Sequence, residues 1–273
     1  MSEINGVIFN FAFGLALGLP LGLAAYKLKY LDARAAALSI MFSGLYFMGG
    51  IGLYLASLTF FFSSSLITKL GYANKRQKDA AEREGGRSSS QVIGAGLVAA
   101  LFTALHGLFI DYRQKLLPTA LAVLAASNAD TWAAELGAIY PGRPRLITRP
   151  WVKVEPGTSG GITPLGTMGS ILGAAIIGVV ALLESNLGLL NINHACVPLI
   201  IALGWLGEVL DSVVGATLQK KYYCPRCKTL TDKTTHSCGE KTLPAGGFSF
   251  ITNEVTNLIA TGLVGLLGFL ILC

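Results

Sequence analysis

Residues 37–62 read A-L-S-I-M-F-S-G-L-Y-F-M-G-G-I-G-L-Y-L-A-S-L-T-F-F-F. Whether this stretch crosses a bilayer once or twice decides where every later loop lies. The apolar run from 35 to 68 is broken at Gly49-Gly50. Each half, 35–48 and 51–68, is short for a span that takes about 20 residues. Taken as two crossings that turn at the glycines, they join apolar runs near 4–26, 91–110, 118–139, 164–183, 197–218 and 252–272 to make eight spans. With eight, the segments 27–34, 69–90, 140–163 and 219–251 share one side and hold 19 of the 21 Lys and Arg. The other side holds Arg113 and Lys115. One crossing at 35–68 would put 27–34 opposite 69–90 and spoil this asymmetry. The positive-inside effect then places the four basic loops in the cytosol and both termini outside. Residues 1–26 have no basic n-region and no clear small-residue cleavage site, so they read as a retained anchor.

Composition agrees with a polytopic membrane protein. Of 273 residues, 52% are hydrophobic and 13% charged, and mean hydropathy is +0.59; soluble domains average about 25% charged. The 33 glycines suit close helix packing in a bilayer. The formal charge of +6 would fit a nucleic-acid binder, but the basic residues lie in the loops, so no nucleic-acid partner is expected. The expected fold class is an all-α polytopic bundle forming one integral membrane domain, 1–273. A zinc-binding cytosolic loop, 219–250, is inserted between its last two helices.

Two spans carry acids. Residues 127–137 read S-N-A-D-T-W-A-A-E-L-G, and residues 204–219 read G-W-L-G-E-V-L-D-S-V-V-G-A-T-L-Q. An ionisable group at membrane depth costs roughly 2.5–3.5 kcal/mol on insertion scales and by default marks a functional site. At about 100° per residue, Ser127, Asn128, Thr131 and Glu135 share one side of their helix, with Asp130 at its edge; Glu208, Asp211, Ser212, Gly215 and Gln219 share a face of theirs. Carboxylates with amide and hydroxyl oxygens suit Mg²⁺, which takes one or two carboxylates plus substrate phosphates. The plainer alternatives are a polar network tying helices together and an ion or proton path.

The basic loops offer anion sites. Lys69, Lys75, Arg76, Lys78 and Arg87 flank Gly85-Gly86, where backbone N–H groups can approach a phosphate. The plain reading is a solvated loop beside anionic lipid. Ser88–Ser90 can cap a helix starting near Gln91. In 140–163, Arg143, Arg145, Arg149 and Lys153 precede P-G-T-S-G-G, and Gly157, Thr158, Ser159, Gly160 and Gly161 sit just before a helix N-terminus. Such a segment matches no Walker pattern and is more often an ordinary turn. Proline and glycine exclude long regular structure there.

The cysteines are more specific. Cys224, Cys227, His236 and Cys238 make C-x2-C-x8-H-x-C within fifteen residues, a spacing that suits tetrahedral Zn²⁺ in a closed, structural site. A cytosolic setting argues against the alternative of disulfides. Cys196 and Cys273 fall outside this set.

These segments together resemble one family. S-N-A-D-T-W-A-A-E-L-G, P-R-L-I-T, V-E-P-G-T-S-G-G-I-T-P-L-G-T, G-E-V-L-D-S-V-V-G-A-T-L-Q and T-N-E-V-T-N-L, with L-I-T-K-L-G and E-G-G-R-S-S-S-Q-V upstream, occur in order over about residues 33–273. They resemble the integral-membrane family that contains plant phytyl-phosphate kinase, and the Cys/His insert resembles its transmembrane protein 19 branch. Ala95 stands where that pattern has Asn. The resemblance implies transfer of a phosphoryl group from a nucleoside triphosphate, CTP foremost, to phytyl or another prenyl monophosphate. The membrane would be the endoplasmic reticulum, with the active site facing the cytosol. It implies Asp130, Glu135 and Asp211 for Mg²⁺, with Asn128 and Glu208 in support. Lys69, Lys75, Arg87, Arg145, Gly157–Gly161, Asn253 and Asn257 would hold phosphates or nucleotide. A lipid-phosphate transporter and a non-catalytic scaffold remain the rival readings.

Overall fold

The computed structural model describes residues 2–71 and 86–272. Lys75, Arg76, Lys78, Gly85 and Cys273 lie outside the described residues. Among those described are eight long helices: α1 (Ser2–Lys27), α2 (Ala33–Met48), α3 (Ile51–Lys69), α4 (Ser89–Leu108), α5 (Arg113–Ile139), α6 (Pro164–Asn186), α7 (Val197–Thr217) and α8 (Asn253–Ile271). Six are long and apolar enough to cross a membrane. The other two are α2, which is apolar but only 16 residues long, and α5, whose second half carries Asn128, Asp130 and Glu135.

Local chemistry sets the helix starts. Asp32 caps α2 through the Ala35 N–H (2.7 Å). Ser88 and Gln91 form a reciprocal capping box on α4, which satisfies two N–H groups that a helix start leaves unpaired. Thr163 accepts from the Gly166 N–H (2.9 Å), and Pro164 fills the first turn of α6, where its missing N–H costs nothing.

The turn at Gly49-Gly50 lies at one end of the bundle. Gly49 sits against Thr103 near the end of α4, and Gly52 sits against Leu190 in the α6–α7 connection. At the other end Leu31 bridges Arg87, Ile139 covers Gly71, and Gly160 rests on Ala216. Segments 27–34, 140–163, 219–251 and the described ends of 69–90 therefore share the second end. A label attached beside His194, in the α6–α7 connection, is expected to react only from the side opposite to Cys224. Labelling of both from the cytosol would overturn the eight-crossing arrangement.

The centre of the bundle is α5. Every residue from Leu116 to Ala129 is buried, and the helix touches α3, α4, α6, α7 and α8. A helix enclosed on all sides needs no apolar stripe. Its closest neighbour is α6, whose Gly166, Gly169 and Gly173 face the α5 backbone. A Cβ at any of them would lie 2.8–2.9 Å from the carbonyl oxygens of Ala133, Trp132 and Asn128, respectively. Small residues are what let membrane helices approach this closely.

The two long loops at the basic end are folded. One forms a small antiparallel sheet, β1 (Arg145–Leu146), β2 (Arg149–Lys153) and β3 (Gly161–Ile162), in the order β2-β1-β3. The other forms β4 (Lys221–Cys224), β5 (Thr229–Thr231) and β6 (Leu243–Gly246), in the order β5-β4-β6. Val154 bridges Leu230, and the Glu155 N–H donates to the Leu230 carbonyl (3.2 Å). The two loops thus interlock over the ends of α5–α8.

Candidate functional site

A polar cleft of about 180 Å³ opens between α5, α6, α7, α8 and the first sheet. Asp130 comes from α5, Glu208, Asp211 and Ser212 from α7, Asn253 from the start of α8, and Gly157, Thr158, Gly160 and Gly161 from the glycine-rich loop. The Ser212 hydroxyl donates to Glu208 Oε1 (3.0 Å). The Asn257 amide, oriented with its nitrogen toward α7, donates to Asp211 Oδ1 (2.8 Å) and to the Asn253 carbonyl (3.2 Å). Behind the cleft a pocket of about 10 Å³ is lined by Ser127, Asp130, Asp211 and Asn257. Buried Ser127 Oγ has no hydrogen-bond partner. Carboxylates beside an orphaned hydroxyl and an amide are an all-oxygen donor set of the kind a hard divalent cation takes.

Several candidates from the sequence stand elsewhere. Asn128 is fully buried, accepts from Ser63 and Ser64 of α3 (both 3.0 Å) and donates to the Gly173 carbonyl of α6 (2.8 Å). Its amide ties three helices together and does not line the cleft. Glu135 does not line it either: five residues on from Asp130, it points about 140° away round the helix. The face of α5 that meets the cleft is Asp130, Ala133, Ala134, Gly137 and Ala138. It differs from the side expected from the polar residues because Asn128, the strongest of them, turns to α3 and α6. Lys69 lies over the Tyr30 ring at 3.7 Å. Arg145 donates to the Pro150 carbonyl (2.7 Å) on the exposed side of its sheet. Arg87 bonds Thr68 Oγ1 (3.0 Å) and lines a separate cavity.

The glycine-rich loop also departs from expectation. Three of its amides are already bonded: Thr158 N–H to the Glu155 carbonyl (3.1 Å), Gly161 N–H to the Thr158 carbonyl (3.0 Å) and Ser159 N–H to Asp232 Oδ2 (2.8 Å). A carboxylate of the chain itself thus occupies the place foreseen for a phosphate at Ser159. Gly160 adopts φ +76°, and a Cβ there would lie 2.5 Å from Ala216, so the loop fits against α7 only as glycine. The result is a fixed wall for the cleft.

Asp232, Lys221 and Glu155 are the residues that sequence reasoning missed. Asp232 also accepts from Lys221 Nζ (2.7 Å) and Gln219 Nε2 (3.2 Å). Burial pushes the Asp232 carboxyl above and the Lys221 ammonium below their ordinary values, and the ion pair at 2.7 Å opposes both shifts. In sequence these residues look like solvated loop charges, and no local signal tells them apart.

Cys224, Cys227, His236 and Cys238 form a cluster whose ligand atoms all lie within 4.8 Å of one another. Cys224 and Cys238 Sγ are 3.8 Å apart, far beyond the roughly 2.05 Å of a disulfide. It matches the edge, about 3.8 Å, of a tetrahedron with Zn–S bonds near 2.3 Å. The Cys227 N–H donates to Cys224 Sγ (3.4 Å). The Glu240 N–H holds the Cys238 thiol near 7, while the hydrogen bond with Cys238 pushes Cys227 up to about 11. His236 Nε2 lies 3.2 Å from Glu155 Oε2, an oxygen with no other partner, and the Ser237 hydroxyl donates to Glu155 Oε1. With Nε2 turned to a carboxylate, Nδ1 faces the cluster, where it accepts from the Cys238 N–H (3.1 Å) and is the nitrogen that would be offered to a metal, a carboxylate–histidine arrangement typical of zinc sites. The residues fit zinc.

Bundle, acid-lined cleft and metal-sized cluster describe a multi-pass integral membrane protein with a polar site at its loop-rich end. Residues 16–265 match the family described as integral membrane protein DUF92, and the chain belongs to that family. It is similar to Protein PGR of Arabidopsis thaliana, 27% identical over 274 residues and 92% of each chain. It is also similar to a membrane protein of Methanocaldococcus jannaschii, 32% identical over 230 residues, 84% of this chain and 79% of the relative. A Synechocystis membrane protein is 32% identical over 172 residues, 62% of this chain and 64% of the relative. No solved structure matches.

Proposed function

We propose that the protein is a membrane prenyl-phosphate kinase, which transfers a phosphoryl group from a nucleoside triphosphate, CTP foremost, to a prenyl monophosphate. The carrying observation is the meeting of Asp130, Glu208 and Asp211, from α5 and α7, in one cleft walled by Gly157, Thr158, Gly160 and Gly161 at the basic end of the bundle. Its location, where a lipid phosphate presents its head group, and the motif resemblance across the chain favour this reading. Asp130 and Asp211 hold Mg²⁺ with Asn257 and Ser127 beside them, and Glu208 supports from the same helix face as Asp211. Mg²⁺, when bound, supplies neutralisation of the phosphate charges. Thr158, Thr163 and Asn253 orient the nucleotide. The acceptor phosphate is already anionic, so no general base is needed, and positioning with charge neutralisation supplies most of the rate. The zinc cluster is structural. The site faces the cytosol, and the endoplasmic reticulum is the membrane this reading favours.

The test is direct. Purified protein in nanodiscs with Mg²⁺, CTP and geranylgeranyl or phytyl monophosphate should yield the corresponding diphosphate. Absence of product across CTP, ATP, GTP and UTP, with folded protein, would reject the kinase and favour lipid-phosphate transport or a scaffold.

A further inference from the structure

The outer strand of the first sheet, β2, leaves Trp151 76% exposed, more than any other large apolar side chain among the described residues. From there the strand alternates: Trp151 and Lys153 are exposed, Val152 is half-buried and Val154 is fully buried. Arg145 stands opposite Lys153 across the ladder and is exposed beside it, and Arg149 is exposed at the start of the strand. Arg145 gives one N–H to the Pro150 carbonyl. Among the described residues no carboxylate forms an ion pair with Arg145, Arg149 or Lys153. The face is therefore one indole among three cations without a counter-charge.

Its depth in the bundle says what covers it. The outer side of α6 carries Met168, Leu172, Val179 and Leu183, all exposed. From Pro164 to Leu183 the helix rises about 30 Å at 1.5 Å per residue, the thickness of a bilayer's hydrocarbon core. β3 ends at Ile162, just before α6 begins, and β2 lies on the far side of β1 from it, about 10 Å away at two strand spacings. The head-group layer beyond the core is about 5–8 Å deep, so side chains of the sheet reach it. At the same end Phe248 and Phe250, both exposed with ring centroids 5.6 Å apart, stand just before α8, and Tyr26 is exposed in the last turn of α1. Tryptophan and tyrosine gather at this boundary because each ring has an apolar body and a polar tip.

We infer that the exposed face of β1 and β2 docks on the protein's own bilayer, with Trp151 at the head-group boundary and Arg145, Arg149 and Lys153 selecting anionic phospholipid there. Basic residues beside a membrane draw anionic lipid within about a Debye length. The same sheet supplies Gly161 and Ile162 to the cleft, so the lipid contact steadies one wall of the site. It holds whatever reaction the cleft performs.

The experiment uses the whole protein in phosphatidylcholine nanodiscs doped with phosphatidylserine or phosphatidylcholine that carries a nitroxide near the glycerol. Trp151 emission is the difference between wild type and Trp151→Phe, which removes the part due to Trp132 and Trp205. Labelled phosphatidylserine should quench Trp151 at a mole fraction about tenfold or more below that needed for labelled phosphatidylcholine. Arg149→Gln with Lys153→Gln should abolish the difference. Salt at about 1 M, where screening falls to roughly 3 Å, should shrink it in the wild type, so the result does not hang on one variant. Equal quenching by the two labelled lipids would overturn the anionic selection. No quenching by either, with Trp151 open to acrylamide, would overturn the docking surface and leave this face to a soluble acidic partner.

Discussion

Asp130→Asn and Asp211→Asn are each expected to abolish prenyl diphosphate formation, by at least about 100-fold, with yield and thermal unfolding near those of the wild type. The two residues come from different helices and line both the cleft and the small pocket behind it. An amide keeps the carboxylate's shape but removes the charge that binds a divalent cation. In phosphoryl transfer the protein chiefly positions and neutralises, so loss of a metal ligand falls on turnover. The fold should survive because an uncharged amide is easier to bury than a carboxylate. Turnover and unfolding measured side by side settle it. Wild-type turnover in either variant would remove that residue from the metal set. Loss of folded protein in both would instead make the acids a structural network.

Removal of zinc is expected to have the second large effect. The purified protein should carry about one equivalent of zinc. Chelation or Cys224→Ser should lower the unfolding temperature and the yield, with turnover falling as a consequence. The loop from 219 to 251 has little apolar surface of its own, and metal-binding free energy in such modules is folding free energy. The effect reaches the cleft through named contacts. Glu155 meets His236 and Ser237 on the zinc side and continues into the Gly157–Gly161 wall, while Asp232, between the zinc ligands, holds the Ser159 amide. Glu155→Gln should therefore cost about 10–100-fold in zinc affinity while leaving all four ligands in place. Elemental analysis and competition with a chromophoric chelator measure this. Less than about half an equivalent of zinc, with intact thiols and no chelator used, would reject the four-ligand site.

Much of the bundle was legible in the sequence. Apolar length and the Gly49-Gly50 break marked eight helices, because a bilayer imposes length on whatever crosses it. The Cys224–Cys238 cluster was legible because its ligands are neighbours in sequence. The orientation of α5 was not: buried on every side, it has no apolar stripe, and Asn128 looked equivalent to Asp130 although it serves α3 and α6. The face of α7 was easier, since Glu208, Asp211 and Ser212 are polar on a helix apolar elsewhere. The pairing of the two loops at the basic end was invisible, because Glu155 with His236 and Ser159 with Asp232 are contacts across 81 and 73 residues that no local period encodes.

That pairing also sets an order of events. A chain is made from its N-terminus, so the Gly157–Gly161 segment emerges well before Asp232, Leu230 and the cysteines that fasten it. Asp130 has no partner acid until α7 follows, and Asp211 has no Asn257 until α8 does. The cleft is therefore the last part of the molecule to come into being, and a ribosome that stops short of residue 257 leaves a nearly complete bundle with an unfinished site.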